Sequence, residues 1–382
     1  MAFHNHLRDT IQPFIVMDVM RAANERAAAG GDVLHLEVGQ PSGQAPEKVR
    51  LAAKAALDSH PLGYTDALGL PELRQRIARH YRHAYGVAVP VENIAVTTGS
   101  SAAFVLTFLA AFPKGARVAV AAPGYPAYRN ILTGLGIECV AVPVGRDSRW
   151  QLTVPVLEGI TGTLDGVIVA SPSNPTGSML SAHEVAELAA WCELRQIRLI
   201  SDEIYHGITY GGPAATAAGM NGHAVIVNSF SKYYAMTGWR LGWMVLPDDL
   251  VRVVECLQQN LFISPPTLSQ VAACAVFECG DELDARVAAY RANRDILLNE
   301  LPKAGFGRLA PSDGAFYLYA DVSELTNDSS EFCRRMLAET GVAVTPGVDF
   351  DPFRGNATVR FSFAGPQADM VEAAARLAKW RR

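Results

Sequence analysis

The chain has 382 residues, 49% apolar and 19% charged, the balance of a folded globular protein and not of a disordered one. Its 33 basic and 38 acidic residues leave a formal charge of -5, without the basic surplus that marks a nucleic-acid partner. No run reaches the roughly 18 uninterrupted apolar residues of a membrane span, and Met1–Thr10, with His4, His6, Arg8 and Asp9, lacks the apolar core of a secretory signal. The expectation is a cytoplasmic protein with no membrane partner, long enough for roughly two or three domains.

In chain order, the first 45 or so residues form no strand–helix unit. Short β-branched runs then alternate with helix-length segments. The strand candidates are Ile94–Thr98, Arg117–Ala121, Glu138–Val142, Val167–Ser171, Arg198–Asp202, Ala224–Ser229 and Arg240–Leu246. Helical stretches such as Ser101–Phe112 and Ala182–Gln196 lie between them. This alternation predicts an α/β fold, a mostly parallel seven-stranded sheet with helices on both faces. Runs such as Val167–Ala170 are nearly all apolar, which suits strands covered on both sides.

After Asp281–Leu301, one long helix closed by Pro302 and Gly305, the pattern changes. Ala315–Ala320, a helix over Ser329–Thr340, Val342–Thr345, Thr358–Ala364 and a final helix from Pro366 make a smaller α+β block. The expected division is an arm over 1–45 that packs with the small domain, a large domain over 46–280 and a small C-terminal domain over 281–382. The six cysteines, Cys139, Cys192, Cys256, Cys274, Cys279 and Cys333, form no CxxC pair and read as buried reduced thiols, not as disulfides or metal ligands.

Open α/β sheets bind ligands beyond the carboxyl ends of their strands. Ile94–Thr98 is followed by Gly99-Ser100-Ser101, small residues opening a helix whose free N–H groups suit an anion. Val167–Ser171 leads into Pro172-Ser-Asn-Pro-Thr-Gly177, a stiff turn that directs Asn174. Two further strands end in Asp202-Glu-Ile-Tyr205 and Ser229-Phe-Ser-Lys232. A lone surface lysine, a capping aspartate or an asparagine in a proline turn is ordinary, and only their joint occurrence at successive strand ends points to chemistry. An amine, an anion nest, an amide, a phenol and a carboxylate match pyridoxal 5'-phosphate. That cofactor needs an imine partner, a phosphate site and an acid against its ring nitrogen. Lysine suits the amine role because burial or a neighbouring cation lowers its pKa.

These motifs closely resemble the class I and II aminotransferases, of the fold-type-I pyridoxal-phosphate enzymes. The resemblance runs over nearly the whole chain. It rests on Ser173-Asn-Pro-Thr-Gly177, Ser201-Asp-Glu-Ile-Tyr205, Ser229-Phe-Ser-Lys232 with Thr237-Gly-Trp-Arg-Leu-Gly242, and Arg360-Phe-Ser-Phe363. Gly39-Gln-Pro41, Gly63-Tyr-Thr65, Thr98-Gly-Ser-Ser101, Pro123-Gly-Tyr-Pro-Ala-Tyr128 and Thr345-Pro-Gly347 add weaker matches.

The resemblance implies that Lys232 carries the cofactor as a Schiff base and moves the substrate α-proton. It implies that Asp202 pairs with the ring nitrogen, that Asn174 and Tyr205 hold the ring oxygen, and that Tyr125 stacks on the ring. Ser100, Ser101, Ser229, Ser231 and Arg240 would hold the phosphate, with Tyr64 reaching it from the partner of a homodimer with shared sites. Arg360 would grip the substrate carboxylate as a two-pronged fork beside Gly39. The early motif reads Gly-Gln-Pro-Ser where relatives often have Gly-Glu-Pro-Asp, which leaves the backbone role of Gly39 untouched.

The implied activity moves an amino group from an L-amino acid to a 2-oxo acid. Carbon–sulfur β-lyases and cyclopropane-forming synthases share the site and are the alternative. A ligand-sensing regulator would carry a winged-helix segment before the fold, and the match begins near Phe14. A non-catalytic homologue would lack some of the matched residues. Phe14, Ile15, Val16 and Met17 make the N-terminal segment apolar and lean the donor toward apolar or aromatic amino acids, with 2-oxoglutarate or pyruvate as acceptor.

Overall fold

The computed structural model describes residues 11–380, so Met1–Thr10, read above for a signal, lies outside the described residues. Thirteen strands form three sheets. In chain order they are β1 (Leu34–His35), β2 (Ile94–Thr97), β3 (Arg117–Ala122), β4 (Glu138–Pro143), β5 (Gly166–Ala170), β6 (Arg198–Asp202), β7 (Val225–Ser229), β8 (Gly242–Val245), β9 (Arg308–Leu309), β10 (Tyr317–Asp321), β11 (Val342–Ala343), β12 (Thr345–Pro346) and β13 (Thr358–Ser362).

The seven expected strands form one sheet in the order β2-β8-β7-β6-β5-β3-β4. Only β8 runs against its neighbours; the pairings from β7 through β4 are parallel. β2, β7 and β8 are buried along their whole length, as strands covered on both faces must be. One helix on the faces has its first N–H groups satisfied by side chains. Helix Ala182–Leu194 opens on Ser181, whose hydroxyl accepts from Glu184 N at 3.2 Å while the Glu184 carboxylate accepts from Ser181 N at 2.7 Å.

A second core surrounds the antiparallel sheet β12-β13-β10-β9 and helices Gly280–Glu300 and Gln367–Lys379. Leu34 and Leu36 belong to this core, and β1 pairs in parallel with β11. The N-terminal segment thus packs against the C-terminal block. All six cysteines are free thiols, four of them buried. Among the described residues no helix is long and apolar enough to cross a membrane.

Most boundaries differ from expectation by a residue or two, and three of the differences have a visible local cause. The expected strand at Arg240 begins at Gly242, because Arg240 itself takes a left-handed φ of 53°. The strand expected from Ala315 begins at Tyr317 because Ala315 has φ 56°. The run Val342–Thr345 splits into β11 and β12, which pair with different sheets. At the start of β12 the Thr345 hydroxyl donates to Glu37 O at 2.9 Å, tying that strand to the segment after β1.

Candidate active site

The carboxyl ends of the parallel strands converge on one cluster. At the end of β2, Gly99 takes φ 75° and opens helix Gly99–Ala111. A Cβ there would lie 2.5 Å from Arg240 Nη2, so only glycine lets the guanidinium approach the helix N-terminus. Arg240 Nη1 donates to Thr237 O at 3.1 Å. Ser100 is half-buried and Ser101 exposed. At the end of β7, Ser229 and Ser231 are buried. Ser229 Oγ donates to Leu241 O at 3.2 Å and accepts from Ser231 N at 3.1 Å, so its proton is already engaged.

Asp202 ends β6 and is buried. Its Oδ1 accepts from Ile204 N at 3.1 Å and its Oδ2 from the phenol of Tyr128. Burial lifts the carboxyl to about 6, while those two donors and the Lys232 charge pull it down. Lys232 Nζ donates to Gly39 O at 2.7 Å and stands 5.8 Å from the centre of the Tyr205 ring. Burial first, then the Arg360 and Arg240 guanidiniums, lowers its pKa to about 8, against the pull of Asp202.

Arg360 projects from β13 and is 2% exposed, a cation too deep to be held without polar partners. Nη1 donates to Asn174 Oδ1 at 2.8 Å, and Nη2 donates to Glu37 O and, at 3.2 Å, to Thr345 Oγ1. The guanidinium lies between two rings, 4.4 Å from the centre of Tyr317 and 4.6 Å from that of Phe350. Its Nε is buried and has no hydrogen-bond partner within the chain. The Tyr205 hydroxyl is 2.7 Å from that of Tyr317. Gly39 sits so close to Tyr317 that a Cβ would lie 1.7 Å from its phenolic oxygen.

Tyr125 packs edge-on between Tyr128, 5.2 Å between ring centres, and Phe14, 5.8 Å away. Burial raises its phenol to about 12, helped by the Asp202 charge. Ile15 N and Val16 N each donate to the Asp349 carboxylate at 3.2 Å, which seats the apolar arm beside this aromatic group. Among the predicted residues Tyr64 is 83% exposed. Two residues escaped the sequence reading. Tyr128 closes the Pro123-Gly-Tyr-Pro-Ala-Tyr128 motif, which pointed only to Tyr125. Tyr317 lies in a run legible only as a strand, whose alternation does not tell which neighbour a phenol meets.

The chain as a whole is similar to known proteins. Residues 31–377 match the family model described as aminotransferase class I and II. A valine–pyruvate aminotransferase of Mycobacterium tuberculosis is 52% identical over 98% of this chain and 97% of its own. A (5-formylfuran-3-yl)methyl phosphate transaminase of Methanocaldococcus jannaschii is 33% identical, with 96% of each chain covered. Among solved structures, an aminotransferase from Mycobacterium tuberculosis superposes with a TM-score of 0.97 at 52% identity, covering 99% of both chains. Thermus thermophilus aspartate aminotransferase with maleate does so at 0.93 and 30%, covering 99% of this chain and 100% of that one. This chain belongs to the class I and II aminotransferases.

Proposed function

We propose that this aminotransferase binds pyridoxal 5'-phosphate on Lys232 and moves the amino group of an apolar L-amino acid, valine foremost, to pyruvate or a related 2-oxo acid. The observation that carries the assignment is the Lys232 amine, lowered to about 8 and held 2.7 Å from Gly39 O among Asp202, Tyr205 and Arg360. The family as a whole depends on this cofactor, and the residues present fit it. Gly99 leaves room for Arg240 at a helix N-terminus, a donor-only cradle matched to a phosphate, with Ser100, Ser101, Ser229 and Ser231 on its rim. Asp202 offers a buried carboxylate to a ring nitrogen, and Asn174 and Tyr205 a hydrogen bond each to a ring oxygen. Tyr125 supplies an aromatic face.

When bound, the cofactor supplies an aldehyde that condenses with amines and a ring that takes up the electron pair released at the substrate α-carbon. The chain's own residues do the rest. The Arg360 guanidinium, whose Nε–H has no partner within the chain, receives the substrate carboxylate and fixes the α-carbon. Lys232 Nζ, partly neutral near pH 8, removes the α-proton. Asp202, which accepts from the Tyr128 phenol, keeps a negative charge in a buried place and would favour protonation of a ring nitrogen held against it.

The apolar donor is read from Phe14, Ile15 and Val16, which the Asp349 carboxylate holds beside Tyr125, and from the name of the Mycobacterium tuberculosis relative. We further take residues 1–45 as an arm joined to a small domain over 281–382, and 46–280 as the large domain. The active unit is a homodimer in which the exposed Tyr64 serves the partner's phosphate site. Free buried thiols suit a reducing compartment, and we place the enzyme in the cytoplasm. Carbon–sulfur elimination would use the same residues, but the relatives named above are aminotransferases and transaminases.

The test is a half-reaction screen of single amino acids against the loaded enzyme, followed by absorbance. Valine should convert the cofactor stoichiometrically to its amine form, and pyruvate should reverse it. Faster conversion by aspartate would overturn the apolar reading, and release of ammonia without the amine form would favour elimination.

A further inference from the structure

Tyr317 is buried in β10, and the roles proposed above leave it unused. Its hydroxyl lies 2.7 Å from Tyr205 OH, and the Arg360 guanidinium carbon stands 4.4 Å from the centre of its ring. Strand register explains the second contact. Tyr317 pairs with Ser362 and Tyr319 with Arg360, so Tyr317 and Arg360 are diagonal neighbours on one face of the β10–β13 pair. The absent side chain of Gly39 makes room for the phenolic tip. One side chain thus touches the carboxylate fork with its face and the Tyr205 phenol with its end.

We propose that Tyr317 is a positioning residue that transmits the occupation of Arg360 to Tyr205. This rests on the reading that Arg360 takes the substrate carboxylate and Tyr205 the cofactor's ring oxygen. Tyr205 has a single proton. It donates that proton to a ring oxygen only when Tyr317 is the donor in the phenol–phenol bond. A cation on the π-face draws density from the Tyr317 ring and makes its O–H a better donor. Hydrogen bonds in a chain strengthen one another, so Tyr205 then donates more strongly as well. A carboxylate arriving at Arg360 offsets the guanidinium charge and weakens both bonds. Weaker donation leaves more charge on the ring oxygen, and the nearby nitrogen of the Lys232–cofactor linkage then holds its proton to higher pH.

The other charged and titratable groups around Arg360, Tyr205 and Lys232 are Asp202, Arg240, Asp349, Tyr125 and Tyr128. None of them bridges Arg360 to Tyr205. Arg360 has a second route through Asn174 Oδ1, 2.8 Å away, so Tyr317 carries part of the coupling and not all of it.

The experiment titrates the cofactor absorbance of the loaded enzyme against pH, with and without saturating isovalerate, a carboxylate that lacks an amino group. In the wild type, isovalerate should raise the midpoint. In Tyr317→Phe that rise should be smaller than in the wild type. A rise of wild-type size in Tyr317→Phe, with circular dichroism and cofactor affinity intact, overturns the proposal. The double variant Tyr205→Phe/Tyr317→Phe should titrate like Tyr205→Phe alone, and a further change in the double variant also overturns it. A wild-type midpoint that ignores isovalerate overturns the carboxylate reading of Arg360, and the coupling with it. Those results separate the two failures.

Discussion

Lys232 Nζ donates to the backbone oxygen of Gly39 at 2.7 Å, joining the loop after β7 to the segment that follows β1. The contact brings the amine to the C-terminal end of the large sheet and ties it to the segment that packs on the second core. Borohydride reduction of the loaded enzyme should therefore fix the cofactor on Lys232, as read by peptide mass mapping. Lys232→Ala should keep cofactor affinity through the phosphate and ring contacts and lose turnover by about a thousandfold or more. A label on another lysine would remove the assignment.

Asp202 and Tyr128 form the next testable pair. Asp202→Asn should fold normally and slow removal of the α-proton by about a hundredfold, because the ring nitrogen loses its anionic partner. Tyr128→Phe removes one hydrogen bond from the same carboxylate and should cost about tenfold or less. Single-turnover kinetics of the amino-acid half-reaction measure both. A larger effect from Tyr128→Phe than from Asp202→Asn would invert the proposed order of roles.

Arg360→Lys should lower kcat/KM for amino acids by about 10- to 100-fold, chiefly through KM, since a point charge replaces a planar fork. Primary amines without a carboxylate should react as they do with the wild type. Equal losses for both substrate types would show that Arg360 supports the fold and not the carboxylate.

The exposure of Tyr64 makes the shared site testable by mixing subunits. Lys232→Ala and Tyr64→Asp homodimers should each be nearly inactive. After reassociation roughly half of the dimers are mixed, and each has one site with neither lesion, so about a quarter of wild-type activity should return. No recovery despite demonstrated subunit exchange would place Tyr64 in its own chain's site.

His206 predicts a pH dependence of stability. Its Nδ1 accepts from Tyr85 OH at 2.8 Å and its Nε2 donates to Ser171 O at 3.0 Å. Burial holds the imidazole down to about 3, from 6.5 for an ordinary histidine. The unfolded chain takes up a proton below 6.5 that the folded protein refuses. This contribution is therefore present above that pH and is lost as pH falls toward 3. Glu203, with its nearer oxygen 3.5 Å from Nδ1, works in the opposite sense, because burial pushes it up to about 8 and the folded state keeps its proton. His206→Gln removes the first effect and leaves the second. Between pH 6.5 and about 5 the variant should lose less stability than the wild type, by about 2 kcal/mol, in denaturant unfolding at both pH values. Parallel losses would mean that His206 takes up its proton in the fold as readily as in the unfolded chain.

The sequence by itself determined the strand-end chemistry and the fold class. Asn174, Asp202, Tyr205, Ser229 and Lys232 each sit within a few residues of a β-branched run, and a parallel strand delivers whatever follows it to one edge of the sheet. Local spacing therefore carries that information. Tertiary structure alone decided which side chains meet across the chain. Arg360 reaches Asn174 over 186 residues and Glu37 O over 323, and Tyr128 reaches Asp202 over 74. Tyr205 meets Tyr317 over 112. Those contacts depend on the strand order β2-β8-β7-β6-β5-β3-β4 and on the register of β10 with β13. A one-residue slip in that register would turn Tyr317 to the opposite face, and composition and periodicity are the same in either register. The left-handed backbone at Arg240 and Ala315, which moved two strand starts, is likewise set by what each residue packs against and not by its own preference.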